Sequence, residues 1–297
     1  ERIVILGSVQ QALDLTLRLL VAPGERVWME DPGYPGARQL MKASGVAVVD
    51  VPVDREGLQF DTALGLAPDA RLAYVTPSHQ APLGGELSPA RRLALLRWAG
   101  EQGSYIFEDD YDSEYRFVAK PIPALRSMAG ADASVILAGT FSKLLFPSLR
   151  MAYVVLPPQL VDGFTRLVSL TARHANSLAQ AVLADFIDQG HFDRHLRRMR
   201  KLYAARAEAF SAAAERHWQG LIEVPPIRAG LDVVCRLQSI DELEAQVRLA
   251  KSGIDVMPLQ RYCVQPQAPG LVMGFAAYDE AAIEQGAKDL ARLLRRP

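Results

Sequence analysis

The chain has 297 residues, 49% of them hydrophobic, with 33 basic and 34 acidic side chains and a formal net charge of −1. That length buries a large core, enough for one big domain and a smaller one. Near-neutrality excludes a global attraction to nucleic-acid phosphates, so any DNA contact would come from a local patch.

The first apolar run, Ile3-Val4-Ile5-Leu6, reads as a strand. It turns through Gly7-Ser8-Val9-Gln10 into a helix with Leu13, Leu17 and Leu20 on one face. Such a turn leaves unpaired N–H groups above the sheet, which is either a phosphate cradle or an ordinary N-capped amphipathic helix. Arg26-Val27-Trp28-Met29 is a short strand, and Asp31-Pro32-Gly33-Tyr34-Pro35 is a turn dense in backbone punctuation. Helix 36–44, strand 46–51 and strand Leu72-Ala73-Tyr74-Val75 continue the alternation, which argues for a mostly parallel sheet. The last of these ends at Thr76-Pro77-Ser78-His79-Gln80. Ser88-Pro89 opens a helix whose inward residues are expected to be Leu93, Leu96 and Trp98.

Tyr105-Ile106-Phe107-Glu108-Asp109-Asp110-Tyr111-Asp112 starts as a strand and ends in four carboxylates and a tyrosine. That suits the carboxyl end of a parallel strand, where α/β sheets hold their sites, although solvated loop acids fit as well. The apolar run 134–138 then leads into Gly139-Thr140-Phe141-Ser142-Lys143, with Arg150 seven residues on. A lysine just past a buried strand must give up water or find a partner, and a desolvated lysine titrates toward the neutral amine that attacks carbonyls. The stretch alone admits two readings, a Schiff-base lysine and a surface lysine at a loop entrance.

Strand 151–156, helix 162–171, a loop at 173–177 and a long helical region from Leu178 to about Trp218 follow. In that region His191, Arg194, His195, Arg197, Arg198, Arg200 and Lys201 form a basic cluster, read as a solvated face or as a DNA-flanking patch. Strands near 222–224, 231–237, 254–257 and 271–275, with helices 240–252 and 279–294, complete the chain. Cys235 and Cys263 are too far apart for a zinc or redox motif and read as core thiols of a reducing compartment. No apolar run reaches bilayer length and no leader-like segment opens the chain, so a cytoplasmic protein is expected, without membrane contact. Glu1-Arg2 running straight into a strand reads as a fragment of a longer chain.

Glu108-Asp109-Asp110-Tyr111-Asp112-Ser113-Glu114-Tyr115-Arg116 and Gly139-Thr140-Phe141-Ser142-Lys143-Leu144-Leu145-Phe146-Pro147-Ser148-Leu149-Arg150 resemble the aminotransferase-like domain of MocR-type (GntR superfamily) transcription regulators. Glu30-Asp31-Pro32-Gly33-Tyr34-Pro35-Gly36 and Thr76-Pro77-Ser78-His79-Gln80 extend the likeness over nearly the whole chain. Those regulators join a winged helix-turn-helix DNA-binding domain to a pyridoxal-phosphate domain of the aspartate-aminotransferase fold.

The resemblance implies an α/β protein of PLP-dependent transferase fold type I. Residues 1–175 would form the large cofactor-binding domain, its N-terminal portion absent, and residues 176–297 a long connecting helix and a smaller C-terminal α+β domain. It implies pyridoxal 5'-phosphate held as a Schiff base by Lys143, with Asp109 on the ring nitrogen and Tyr111 on the phenolic oxygen. Tyr34 would stack on the ring. Arg150, Thr140, Ser142 and the Ser8-Val9 turn would take the phosphate, although Gly7-Ser8-Val9 departs from the usual Ser-Gly-Ser or Ser-Gly-Ala. His79 falls where aminotransferases usually present an asparagine, and either its imidazole or the Gln80 amide would do a similar job.

A homodimer is implied, with a small amine or amino-acid effector and DNA bound through a winged helix outside this chain. The alternative is a working class I/II aminotransferase, and a binding module that has abandoned the cofactor is a third class. Against the enzyme, Ala276-Ala277-Tyr278 stand where amino-acid aminotransferases usually carry an arginine for the substrate carboxylate. Losing a buried bidentate partner costs roughly 2–5 kcal/mol.

Overall fold

The computed structural model describes residues 2–118, 122–130 and 133–295. It divides into two units. One comprises residues 1–81, 85–113 and 120–193, and the other residues 82–84, 114–119 and 194–297.

The first unit is built on eight strands: β1 (Ile3–Leu6), β2 (Arg26–Asp31), β3 (Ala47–Asp54), β4 (Gly57–Leu58), β5 (Leu72–Val75), β6 (Tyr105–Asp110), β7 (Val135–Thr140) and β8 (Ala152–Val155). They lie in the order β1-β8-β7-β6-β5-β2-β3-β4. Strands β3, β2, β5, β6 and β7 run parallel, as the βα alternation requires. The short β8 runs against both β7 and β1, and the terminal β4 runs against β3. The expected α/β architecture is therefore present, with a mixed rather than uniform sheet.

Alternation along each strand divides the core into two layers. Tyr74, Phe107, Ile136 and Val154 face the helices Val9–Leu20, Pro35–Ala43 and Val161–Thr171. Ala73, Val75, Ile106 and Val135 face the opposite side, with Trp28, Leu95 and Trp98. Trp28 is fully buried, stacks on Trp98 at 4.0 Å between ring centroids and donates its indole N–H to the Ala67 carbonyl.

Helix Pro89–Gln102 starts as its sequence demands, with Ser88 accepting from the Arg91 amide and proline in the first turn. It stops at Gly103, whose φ of 62° suits a residue without Cβ. Its buried residues are Arg92, Leu95, Trp98 and Ala99, whereas Leu93 is 52% exposed. The expectation for Leu93 was wrong by a rotation of the helix. The buried Arg92 guanidinium donates to the carbonyls of Leu87, Pro77 and Pro123, which turns that face inward and Leu93 outward.

The second unit carries its own sheet, β9 (Ile222–Glu223), β10 (Asp232–Leu237), β11 (Met257–Pro258) and β12 (Gly270–Gly274), in the order β11-β12-β10-β9 with every pair antiparallel. Its core joins Phe210, Trp218, Cys235, Leu271 and Phe275 to residues of the terminal helix Glu280–Arg295. Cys235 is buried as expected, but Cys263 is only half-buried, since it opens the exposed stretch 264–269, and its thiol donates to the Leu259 carbonyl. The long helical region consists of two helices, Ser177–Asp188 and His191–His217. Arg194, Arg197, Arg198, Arg200 and Lys201 are exposed on the second. Among the described residues no helix is long and apolar enough to cross a membrane.

Trp28→Ala is expected to lower stability by about 3–5 kcal/mol, read from the urea midpoint at unchanged m-value. Trp28→Phe should retain more, losing the hydrogen bond and part of the stack.

Candidate functional site

Strand register brings five chain ends to one edge of the large sheet. Leu6 and Thr140 both pair with Ala152, Gly139 pairs with Asp110, and Glu108 pairs with Val75. The segments after β1, β7, β6 and β5 therefore leave the sheet side by side, and β2, parallel to β5, ends there too. Ser8 and Val9, Lys143, Tyr111, His79 and Tyr34 all lie on those segments. Carboxyl ends of parallel strands are where such sheets hold ligands.

Asp109 continues the face of Phe107 and points into the layer that holds Tyr74. The Tyr74 hydroxyl donates to Asp109 Oδ2 at 2.5 Å. Oδ1 is buried with no hydrogen-bond partner among the described residues. Burial pushes the Asp109 carboxyl up to about 7. The Tyr74 bond opposes the rise, the neighbouring Asp110 and Asp112 charges add to it, and Lys143 opposes it.

The four carboxylates at this strand end do not act together, because alternation sends them to different faces. Glu108 points into the opposite layer and accepts from the Leu125 and Arg126 amides, capping the helix Leu125–Met128. Burial raises it to about 7 as well. Asp110 accepts from the Ser113 hydroxyl. Asp112 is buried with both oxygens 3.0 Å from His79 Nδ1, and the Tyr111 hydroxyl lies 3.2 Å from the same nitrogen.

Lys143 departs from expectation in one respect: its side chain is exposed rather than desolvated. The helix Phe141–Leu144 is a single turn that directs Leu144 into the core and so turns Lys143 outward. The ammonium nevertheless stays over the acidic edge, 6.0 Å from the centroid of the Tyr111 ring and close enough to lower the Asp109 carboxyl. Thr140 caps this turn by accepting from the Ser142 amide at 3.1 Å. A Cβ on Gly139 would lie 2.4 Å from the Tyr153 ring, so glycine here lets that ring lie against the strand end.

Ser8 accepts from the Gln11 amide while the Gln11 side chain accepts from the Gly7 amide, a reciprocal cap for the helix Val9–Leu20. A Cβ on Gly7 would lie 4.0 Å from the Arg150 carbonyl, so Arg150 sits beside this helix start. Arg150 is exposed and holds a left-handed backbone, φ 51° and ψ 50°. Strained non-glycine backbone of this kind collects at functional sites.

Tyr34 is 41% exposed and packs its ring against Gly36, and burial, with the Asp109 charge adding to it, raises its hydroxyl. Of the two candidates at the end of β5, Gln80 is committed elsewhere. Its amide donates to the carbonyls of Pro32 and Ala81 and to Glu30 Oε2. His79 lies against Tyr111 and Asp112.

Three participants escaped sequence reasoning. Tyr74, the partner of Asp109, was legible only as the single hydroxyl in an apolar strand. Glu30, buried under Thr76 at 2.6 Å, read as the start of a turn motif. Asp112 read as one more acid in a run.

Burial raises Glu30 from 4.5 to about 7, against the Thr76 and Gln80 hydrogen bonds and with a further push from Asp109. A carboxyl raised in the folded state stabilises fully below its unfolded pKa and loses that contribution as pH rises through the folded one. The stability of the cofactor-free protein should therefore fall between about pH 4.5 and about pH 7, and Glu30→Gln should flatten that fall by about 1–3 kcal/mol. Urea melts across the interval check it.

Residues 1–290 match the family model of class I and II aminotransferases. The chain is 42% identical over 294 residues to the probable rhizopine catabolism regulatory protein MocR of Rhizobium meliloti, which covers 98% of this chain and 59% of that protein. It is 35% identical over 289 residues to the uncharacterized HTH-type transcriptional regulator YdeL of Bacillus subtilis (strain 168), over 97% of this chain and 62% of that one. The chain thus spans about three fifths of the length of these relatives. Among solved structures, the kynurenine aminotransferase of Pyrococcus horikoshii superposes with a TM-score of 0.90 at 26% identity, over 99% of this chain and 74% of that one.

Family and fold imply pyridoxal phosphate, and the sheet edge fits it. The buried, unpartnered Asp109 oxygen suits a protonated ring nitrogen, and an arginine beside a helix start suits a phosphate. The chain belongs to the class I and II aminotransferase family, and its cofactor is pyridoxal phosphate.

Proposed function

We propose that this chain is the effector-sensing, pyridoxal 5'-phosphate-binding part of a bacterial MocR-type transcription regulator. The observation that carries the reading is the likeness to the two regulators over 98% and 97% of this chain. When bound, the cofactor supplies an aldehyde carbon open to amines and an electron-withdrawing ring. Lys143 would hold the cofactor covalently through its side-chain amine. Asp109, steadied by Tyr74, holds a proton at the ring nitrogen through Oδ1. Tyr111 and His79 orient the ring oxygen, and Tyr34 covers the ring face. Arg150, the Thr140 and Ser142 hydroxyls, Ser8 and the Val9 amide take the phosphate.

A small amine or amino-acid effector competes with Lys143 for the same carbon. The different contacts of the two states then shift the domain's conformational equilibrium. The proposal includes a homodimer, a cytoplasmic location and DNA contact through a winged helix outside this chain. It also takes residues 1–175 as the cofactor-binding domain and 176–297 as the connecting helix and small domain.

The likeness to kynurenine aminotransferase favours a second reading, an active aminotransferase in which Lys143 also carries the proton between substrate Cα and the cofactor. The absence of arginine at Ala276-Ala277-Tyr278 weighs against it.

Borohydride reduction of the loaded protein, followed by peptide mass spectrometry, should find the added mass on Lys143, and Lys143→Ala should carry none. Mass on another lysine would contradict the assignment. Arg150→Ala should weaken cofactor binding by about 30-fold or more, since a phosphate partner of this kind contributes roughly 2–5 kcal/mol. In the full-length protein, amines should change operator affinity without turnover. Sustained transamination would instead establish the enzyme.

A further inference from the structure

We infer that Asp112 is a positioning residue of this site: acting through His79, it turns the Tyr111 hydroxyl proton away from the imidazole and toward the cofactor. The inference rests on the proposed function for the identity of the cofactor, but its geometry is internal to the first unit.

His79 sits on the segment after β5, and Tyr111 and Asp112 on the segment after the neighbouring β6. His79 Nδ1 is 3.0 Å from each Asp112 oxygen and 3.2 Å from the Tyr111 hydroxyl oxygen. A ring nitrogen has either one proton or one lone pair to offer, never both. Both Asp112 oxygens lie equally close to the nitrogen, the arrangement of one N–H shared by a carboxylate, so Nδ1 carries the proton and donates a hydrogen bond to Asp112. The Tyr111 hydroxyl then cannot donate to Nδ1, and its proton turns to an acceptor other than the imidazole.

Without a carboxylate at 112, the nitrogen is free to become the acceptor and capture the tyrosine proton. Gln80 does not take over the task, because Glu30 and two carbonyls hold its amide. Asp112 and His79 are both buried, which strengthens the bond between them and limits exchange of its proton with solvent. Among the described residues, Asp109 and Asp110 at the end of β6 feel the Asp112 charge, Lys143 lies over the Tyr111 ring, and Tyr34, Tyr74 and Glu30 face Asp109.

The test has two arms. In cofactor-free, 15N-labelled protein, ring-nitrogen correlations should find the His79 proton on Nδ1, and Asp112→Asn should move some or all of it to Nε2. In protein loaded with pyridoxal phosphate, the pH midpoint of the visible absorbance should move in Asp112→Asn by about three-fold or more in proton affinity. That shift should vanish when Asp112→Asn is made in a His79→Asn or Tyr111→Phe background. A wild-type proton on Nε2, or an equal midpoint shift with and without His79, overturns the inference. Should Asp112→Asn fail to fold, His79→Asn should itself move the midpoint in wild-type background but not in Tyr111→Phe, and an unchanged midpoint overturns the inference. Wild-type protein that takes up no cofactor sinks the proposed function instead, and normal uptake with an unmoved midpoint sinks only the role of Asp112.

Discussion

A carboxyl oxygen buried without a partner is the constraint around which this site is arranged. Leaving an acceptor unsatisfied in a protein interior costs about 1–3 kcal/mol, and more when it is charged. Asp109 bears that cost at Oδ1 while its other oxygen is held by Tyr74 and both are shut into the layer beneath the helix Val9–Leu20. Burial pushes the group up to about 7, because a carboxylate without a counter-charge is disfavoured there. A cationic ring nitrogen brought to Oδ1 relieves both the missing bond and the missing charge.

The neighbouring elements make sense as supports for that arrangement. Parallel pairing of β5, β6 and β7 sets three segments abreast, and the reversed β8 draws the Gly7-Ser8 turn in beside Arg150. Alternation then separates the acids. Glu108 goes to the far layer as a helix cap, Asp109 to the near one, and Asp112 to His79. Asp110 takes the Ser113 hydroxyl, so a run that would repel itself in sequence becomes four carboxyls with separate partners. Gly139 lets the Tyr153 ring approach closely.

Much of this was legible in the sequence. The βα alternation and the strand ends at Asp109 and Thr140 fixed the sheet and the edge where the candidates gather, because short apolar runs bounded by small and turn residues leave little freedom in where a buried strand stops. The reversal of β8 was not legible, since 151–156 reads the same in either direction. Leu93 misled because leucine spacing was followed without allowing for a buried Arg92, whose three carbonyl partners come from distant segments. Lys143 misled in a similar way: residue type and neighbours argued for desolvation, but a one-turn helix anchored by Leu144 decides which way it faces. The His79–Asp112 pair joins residues 33 positions apart, and only strand adjacency brings them together.

The central claim is that Asp109 Oδ1 accepts a hydrogen bond from the protonated ring nitrogen of the cofactor. It is tested most directly by calorimetry of pyridoxal phosphate against its analogue with carbon in place of that nitrogen, on wild-type protein and Asp109→Ala. The account predicts that wild type prefers the nitrogen ring by about ten-fold or more, the scale of a charge-assisted hydrogen bond, and that Asp109→Ala abolishes the preference. Equal affinity of wild type for both rings would contradict it.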